Sequence, residues 1–539
     1  MKMKKIGYIA FIALLGLNSC SGFLDEELKN ALGPDNTYTS SHGFEVGITG
    51  LYEYARSEFN AWDSEENSFT HYAGTPNECF QVATDVAVTG NNDGGLLQYD
   101  NLTFTPEQTL VSNWWKFGYG LAANANQILE YSEHPDVAWD KPTDKIGYQA
   151  EARFFRAYAY RYLVYIYGDV PYVDKVERDF RIDYTRTPKK EVLDHMIDDL
   201  KFAVENLPED PDAVQVGRLT KWAALHLLSE VYLMAGMNAE AEDAAEQVVN
   251  SHKFDLMTER FGTHTQEAGD VFSDLFKENN QNRTAGNKES IWVMQLEYNT
   301  PGGGGESEDW MTRAWVPQYW NVSGFIIADS LGGRGLAQCV GLPWWIGEDS
   351  NFFEKTDIRN SEYNIKRHWY YNNPDSPLYG QEAEVTETTW MTGRLCPVIT
   401  KYFYGAQRFG GSEGYGGCTK DRMKFRLSET YLLLAEARIN QGDKQGAADA
   451  INVVRRRAHA SEITADEATI DFLADERIRE LVGEELRRFT LLRLGLLKER
   501  TQKYNPRAKI TDDKFLLWPI PQNVINSNTG AEFPQNPGW

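Results

Sequence analysis

The chain is 539 residues long, 42% hydrophobic and 13% aromatic, with a formal net charge of −25. This length exceeds one small core and implies roughly two to four structural units. Asp and Glu outnumber Lys and Arg by 79 to 54, which excludes nucleic acid as a partner, since phosphate binding needs clustered cations, and leaves neutral ligands or basic partners.

Met1 to Lys5 is a basic n-region, and Ile6 to Leu17 is an apolar h-region too short to span a bilayer. It runs into Leu17-Asn-Ser-Cys20, which resembles a bacterial lipobox with an unusual Asn at position 18. Residues 1–19 are expected to be a lipoprotein signal peptide, Cys20 the lipidated residue, and residues 20–40 an extended tether. Several acyl chains on one Cys anchor a protein without spanning the membrane. The acidic Asp25-Glu-Glu27 after Cys20 is similar to the signal that sends lipoproteins to the outer face of the outer membrane. Cys79, Cys339, Cys396 and Cys418 remain. An oxidising compartment permits one or two disulfides among them, with open connectivity.

Apolar residues at spacings of three and four predict helices over 42–60, 106–133, 144–167, 189–206, 220–235 and 239–250. The same pattern resumes over 427–441, 444–459 and 466–499. In the helix over 144–167, Ala152, Phe155, Ala159, Tyr162 and Ile166 share one face, and Gly168-Asp-Val-Pro171 stops it. Trp114 and Trp115 are assigned to the core. Asn91-Asn-Asp-Gly-Gly95 reads as a turn.

Residues 251–420 have a different character. They are rich in Gly, Asn and Trp, and only Ser290 to Leu296 alternates enough for a short strand. Seven of the fifteen Trp lie between Trp310 and Trp390, interrupted by Gly332-Gly-Arg-Gly335 and Pro343. Large rings on loops, away from a repeating core, predict a surface that binds something with flat apolar faces.

An internal repeat flanks this stretch. Leu228-Ser-Glu-Val-Tyr-Leu-Met-Ala-Gly236 with Ala241 and Ala244 matches Leu434-Ala-Glu-Ala-Arg-Ile-Asn-Gln-Gly442 with Ala447 and Ala450. The pattern resembles tetratricopeptide (TPR) helical hairpins. The expected fold is mainly α: a TPR-like helical-hairpin scaffold with a large loop-rich insertion carrying short strands. Its N-terminal part is 41–250, the aromatic ligand-binding part is about 251–420, and residues 421–539 supply C-terminal helices and a tail that pack with the N-terminal part as one unit.

Three stretches carry a family resemblance. They are Ala150-Glu-Ala-Arg-Phe-Phe-Arg-Ala-Tyr-Ala-Tyr160 with Tyr167-Gly-Asp-Val-Pro171, Arg477-Ile-Arg-Glu-Leu-Val-Gly-Glu-Glu-Leu-Arg-Arg-Phe489, and Leu517-Trp-Pro-Ile-Pro-Gln522 with Gln535-Asn-Pro-Gly-Trp539. With Cys20 and the helical hairpins they resemble the SusD-like (SusD/RagB) surface glycan-binding lipoproteins. One departure is Leu491, where the family often has an Asp. The resemblance implies a non-catalytic, cell-surface lipoprotein of the outer membrane. Such a protein sits as a lid on a SusC-like TonB-dependent transporter and hands it an oligosaccharide or polysaccharide. No cofactor or metal is implied, although a structural metal ion stays open.

A pyranose ring has an apolar C–H face and a hydroxyl rim, so aromatic rings bury the face while amides, carboxylates and guanidiniums bond the rim. The candidate contacts are Trp310, Trp315, Trp320, Trp344, Trp345, Trp369, Tyr370 and Tyr371, with Arg313, Asn321 and Arg334, and Asp85 and Asn91 from N-terminal loops. Adjacent Trp344 and Trp345 are expected to split between surface and core. Two other classes compete: a glycoside hydrolase using paired acids such as Glu306, Glu308, Asp309, Asp329, Glu348 and Asp349, and a TPR scaffold that binds proteins alone. Gly410-Gly-Ser-Glu-Gly414 fits GxSxG but lies in a Gly-rich loop rather than between a strand and a helix.

Overall fold

The computed structural model describes residues 33–59, 76–90, 96–297, 300, 303, 311–404 and 418–539. The principal helices before the insertion are Ser41–Arg56 (α1), Thr109–Tyr131 (α2), Asp144–Tyr167 (α3), Lys189–Asn206 (α4), Lys221–Met234 (α5) and Asn238–Val249 (α6). Those after it are Leu427–Gln441 (α7), Lys444–Arg457 (α8), Ile470–Leu481 (α9), Arg487–Arg493 (α10) and Leu497–Tyr504 (α11).

From α2 to α8 each helix packs on the next in number, and α6 packs on α7. The array therefore continues across residues 250–426 as one helical unit. Small residues make this junction: Ala241, Ala244 and Ala245 of α6 and Ala435 and Ala437 of α7 are buried, which lets the two backbones approach closely. Gly442 ends α7 in the left-handed region at φ +83°, and Gly236 holds the same place after α5 at φ +73°. The sequence repeat is thus two helical hairpins stacked side by side.

Helix α3 is buried on almost every side over its last four turns. Its polar groups are matched inside the array. Arg156 donates to both carboxylate oxygens of Asp199 at 2.7 Å, and Arg161 donates to Glu230 at 2.8 and 2.9 Å. The C-terminal tail is tied to the same helix: Trp518 N–H donates to the Ile166 carbonyl at 2.7 Å, and Asn536 bridges the Tyr167 and Trp518 carbonyls.

Strands are short and pair two by two. They are Ala87–Val88 (β1) with Val340–Gly341 (β3), Ser290–Met294 (β2) with Arg422–Arg426 (β6), and Ile365–Lys366 (β4) with Val398–Ile399 (β5), all antiparallel. The β2–β6 pair is the base through which the insertion leaves and re-enters the array.

Two expectations are corrected: Pro34–Thr37 of the expected extended tether is helical, with Tyr38 buried after it, and one C-terminal helix is three. The single helix over 466–499 is broken into α9, α10 and α11. Gly483 sits at φ +83°, where a Cβ would lie 2.9 Å from Ile399 and Tyr402 side-chain atoms, and Gly495 makes the second break at φ +71°. The four described cysteines are all buried and free, so no disulfide forms among them. Cys79 instead accepts a bond from the Trp114 indole at 3.3 Å, with Trp114 itself wholly buried. Leu491 is fully buried in α10, an apolar core position.

Candidate functional site

The insertion is fixed to the array by buried charge. Glu480 of α9 accepts bonds from Arg359 in the insertion, Arg426 of β6 and Arg457 of α8. Arg359 also donates to Asp357 at 2.8 and 2.9 Å and to Glu476 at 2.8 Å. Burial alone would push the Glu480 carboxyl up; the three guanidiniums outweigh it and hold it well below the usual carboxylate range. The break at Gly483 presents Glu484 to Lys401 and Arg426, and Glu485 to Arg477 and Arg487. The charged motif over 477–489 is therefore the clamp between scaffold and insertion.

Asp85 belongs to this clamp and not to an open site. It is wholly buried, and its carboxylate accepts from Arg487 at 2.7 and 2.8 Å and from Arg500 at 2.5 Å. Burial pushes its carboxyl up, but Arg487 and Arg500 prevail and lower it.

Three of the six described tryptophans between residues 311 and 390 lie in the core rather than at the surface. Trp345 and Trp369 have no exposed area, Trp315 is 2% exposed, and Arg313 beside it is buried. Their rings pack where no periodic helix supplies apolar residues, and two of the indoles find backbone acceptors. Trp345 donates to the Val86 carbonyl at 2.8 Å, and Trp369 donates to Cys396 at 3.0 Å and stacks on Tyr319 at 5.4 Å. Trp344 is half-buried. Its indole donates to the Asp85 carbonyl at 2.6 Å, and one ring face lies on Tyr504 at 3.8 Å. Trp310, Asn91, Cys20 and the Gly410–Gly414 loop lie outside the described residues, as do Glu306, Glu308 and Asp309.

The remaining candidates come together on one folded unit. Half-buried Trp320 donates to the Gly335 carbonyl at 2.9 Å, and the Arg334 guanidinium lies 5.1 Å over its ring. Asn321 beside it is exposed. The loop that follows is tied to a hairpin over 369–383. Asn373 N–H donates to Gly324 at 3.1 Å, Ile326 N–H donates to the Asn372 side chain at 2.9 Å, and Phe325 packs on Tyr371 at 4.8 Å. The hairpin is closed by Tyr371 N–H to Gln381 at 3.0 Å and Ala383 N–H to Trp369 at 2.7 Å.

This hairpin presents rings to water. Tyr370 is 49% and Tyr379 59% exposed, with Leu378 and Ile326 exposed next to them in the chain and in the loop that pairs with it. Sequence reasoning placed Tyr370 and Tyr371 here and missed Tyr379, Leu378 and Ile326. The available signal was the run Pro374-Asp-Ser-Pro377 with Gly380, which marks a tight turn that lifts its neighbours off the core. Exposed phenol rings on a hydrogen-bonded hairpin, with the exposed Gln381 beside them in the chain and exposed Asn321 in the segment before the loop that pairs with it, supply flat apolar faces and hydroxyl partners on a fixed frame.

Comparison with known proteins agrees with this frame. The model described as "SusD family" matches residues 269–539, and one described as "Starch-binding associating with outer membrane" matches residues 36–233. SusD-like protein P2 of Formosa agariphila is 26% identical over 100% of both chains. The starch-binding protein SusD of Bacteroides thetaiotaomicron is 22% identical over 100% of this chain and 99% of its own. The solved surface glycan-binding protein A of Bacteroides thetaiotaomicron in complex with laminarihexaose superposes with a TM-score of 0.70 at 20% identity, covering 92% of this chain and 100% of that one. Matched by family models in both halves and by relatives along its whole length, the chain belongs to the SusD/RagB family.

Proposed function

We propose that the protein is a non-catalytic, lipid-anchored glycan-binding protein of the outer-membrane surface. It captures an oligosaccharide or polysaccharide and passes it to a SusC-like TonB-dependent transporter. Family membership supports the class, since relatives along its full length are named for starch and laminarihexaose binding. The observation that carries the site is the hairpin over 369–383, whose exposed Tyr370 and Tyr379 stand on a frame fixed by backbone bonds and by buried Trp369. A chain of sugar rings stacks on such phenols while amides bond its hydroxyls, each bond adding about 0.5–1.5 kcal/mol net.

No described helix is long and apolar enough to cross a membrane, in keeping with anchoring through Cys20. Calorimetry against a panel of neutral and acidic polysaccharides tests the reading. Saturable binding without cleavage is expected, and failure to bind any member, or release of reducing ends, would overturn it. Cys20→Ala should release the protein from membranes; retention would exclude the anchor.

A further inference from the structure

Within the insertion, beside the turn after Val271–Asp274, lies a cavity of about 230 Å3 lined in part by Tyr363. It is smaller than the roughly 300–1,000 Å3 clefts of drug-sized ligands, so it admits one sugar ring or a side group rather than a polymer backbone. Phe276, Tyr363 and Phe403 supply apolar wall, and Ser330 and Thr400 supply hydroxyls. The Thr400 proton is committed to the Tyr363 carbonyl at 2.5 Å, which leaves its lone pairs to accept.

Two lysines, Lys277 and Lys366, line the same space. Lys277 keeps a loose contact with the exposed Glu267 at 3.7 Å and is itself about one third exposed. Lys366 is different. It is half-buried on β4, its ammonium lies 5.1 Å over the buried Trp369 ring, and it makes no ion pair among the described residues. Burial pulls its ammonium below the ordinary lysine value, only partly offset by Glu362. Glu362, the one carboxylate lining the cavity, is exposed. In a chain where acids outnumber bases by 79 to 54, and where Arg359, Arg426 and Arg457 are each held by carboxylates in the clamp, a half-buried lysine with no ion pair is an unfilled position for an anion. The overall charge of −25 does not forbid this, because exposed charges beyond about 8 Å are screened at physiological salt.

We propose that this cavity, through Lys366 and Lys277, receives the carboxylate of an acidic sugar, so that the glycan carries uronate units. The inference rests on the glycan-binding reading and narrows its substrate class. The uronate carboxylate sits between the two ammoniums, its ring face lies on Tyr363 or Phe403, and its hydroxyls bond Thr400 and Ser330.

The test is calorimetry of the full chain with polygalacturonate, alginate and glucuronoxylan, each against its carboxyl-reduced, neutral counterpart. At least one acidic form should bind tenfold or more tightly than its reduced partner. Lys366→Met and Lys277→Gln should each erase that preference while the thermal unfolding midpoint stays within a few degrees. Equal binding of acidic and reduced forms, or a preference unchanged in both variants, overturns the proposal. Binding of neutral glycans alone overturns it and leaves the broader function standing; no binding to any glycan removes both.

Discussion

The helical array and the insertion solve the same problem by different means. In the array, periodic apolar faces meet one another, and alanines set the spacing, as where α6 meets α7. The insertion has little regular structure to offer a periodic face. Its core is instead made of Trp315, Trp345 and Trp369, two of them holding backbone carbonyls, and its hold on the array is a set of buried ion pairs around Glu480 and Glu484. An aromatic excess in a loop-rich segment thus marks an irregular core first and a binding surface second. Among the described residues of the insertion, the exposed large aromatic rings are those of Tyr363, Tyr370 and Tyr379, whose hydroxyls are at ease in water.

The sharpest way to break this contrast is Glu480→Ala. It removes the carboxylate shared by three guanidiniums, each of which keeps a second acid, and we expect a loss of about 3–5 kcal/mol in urea unfolding. A small loss would show that apolar contact holds the insertion. Next, Trp369→Ala should cost about 3–5 kcal/mol through the cavity it leaves, against almost nothing if the ring were a ligand contact.

Acid should loosen the clamp. Burial raises the Glu476 carboxyl, but Arg359, Arg479 and Arg455 outweigh that and bring it to about 2. A depressed carboxylate contributes its stability fully above about pH 4.5, the ordinary value, and loses it as pH falls toward about 2. Its share is roughly 3 kcal/mol. Unfolding followed by the insertion's indole fluorescence should shift over that window, and a flat profile would remove the clamp from the explanation. The smallest effect on stability belongs to Tyr370→Ala with Tyr379→Ala: within about 0.5 kcal/mol, as for exposed positions, but with glycan affinity down about tenfold.

Much of the array was legible in the chain. The helices α3, α4 and α7 match the ranges predicted from apolar spacing, and the offset repeat foretold the hairpins that stack at α6 and α7. The helix over 466–499 was misread because Arg and Glu at helical spacing look like a solvated face. Only the fold shows that Glu480, Glu484 and Glu485 point into a buried cluster around a left-handed Gly483. The site was legible in kind and not in detail. Burial of Trp345 beside half-exposed Trp344 depends on backbone carbonyls of residues 85 and 86, far away in sequence, and no local pattern encodes that pairing.

The junction of α6 with α7 has a consequence for how such a chain varies and forms. The entropy of closing a loop grows only with the logarithm of its length, about 0.6 kcal/mol for each doubling. Residues 250–426 can therefore lengthen or shorten substantially with little effect on the equilibrium that docks α7 against α6, provided the β2–β6 base survives. Kinetics are less forgiving. A chain delivered amino end first exposes the alanine face of α6 until everything through residue 427 has followed, so the array completes late and its half-built form is the species to protect from self-association.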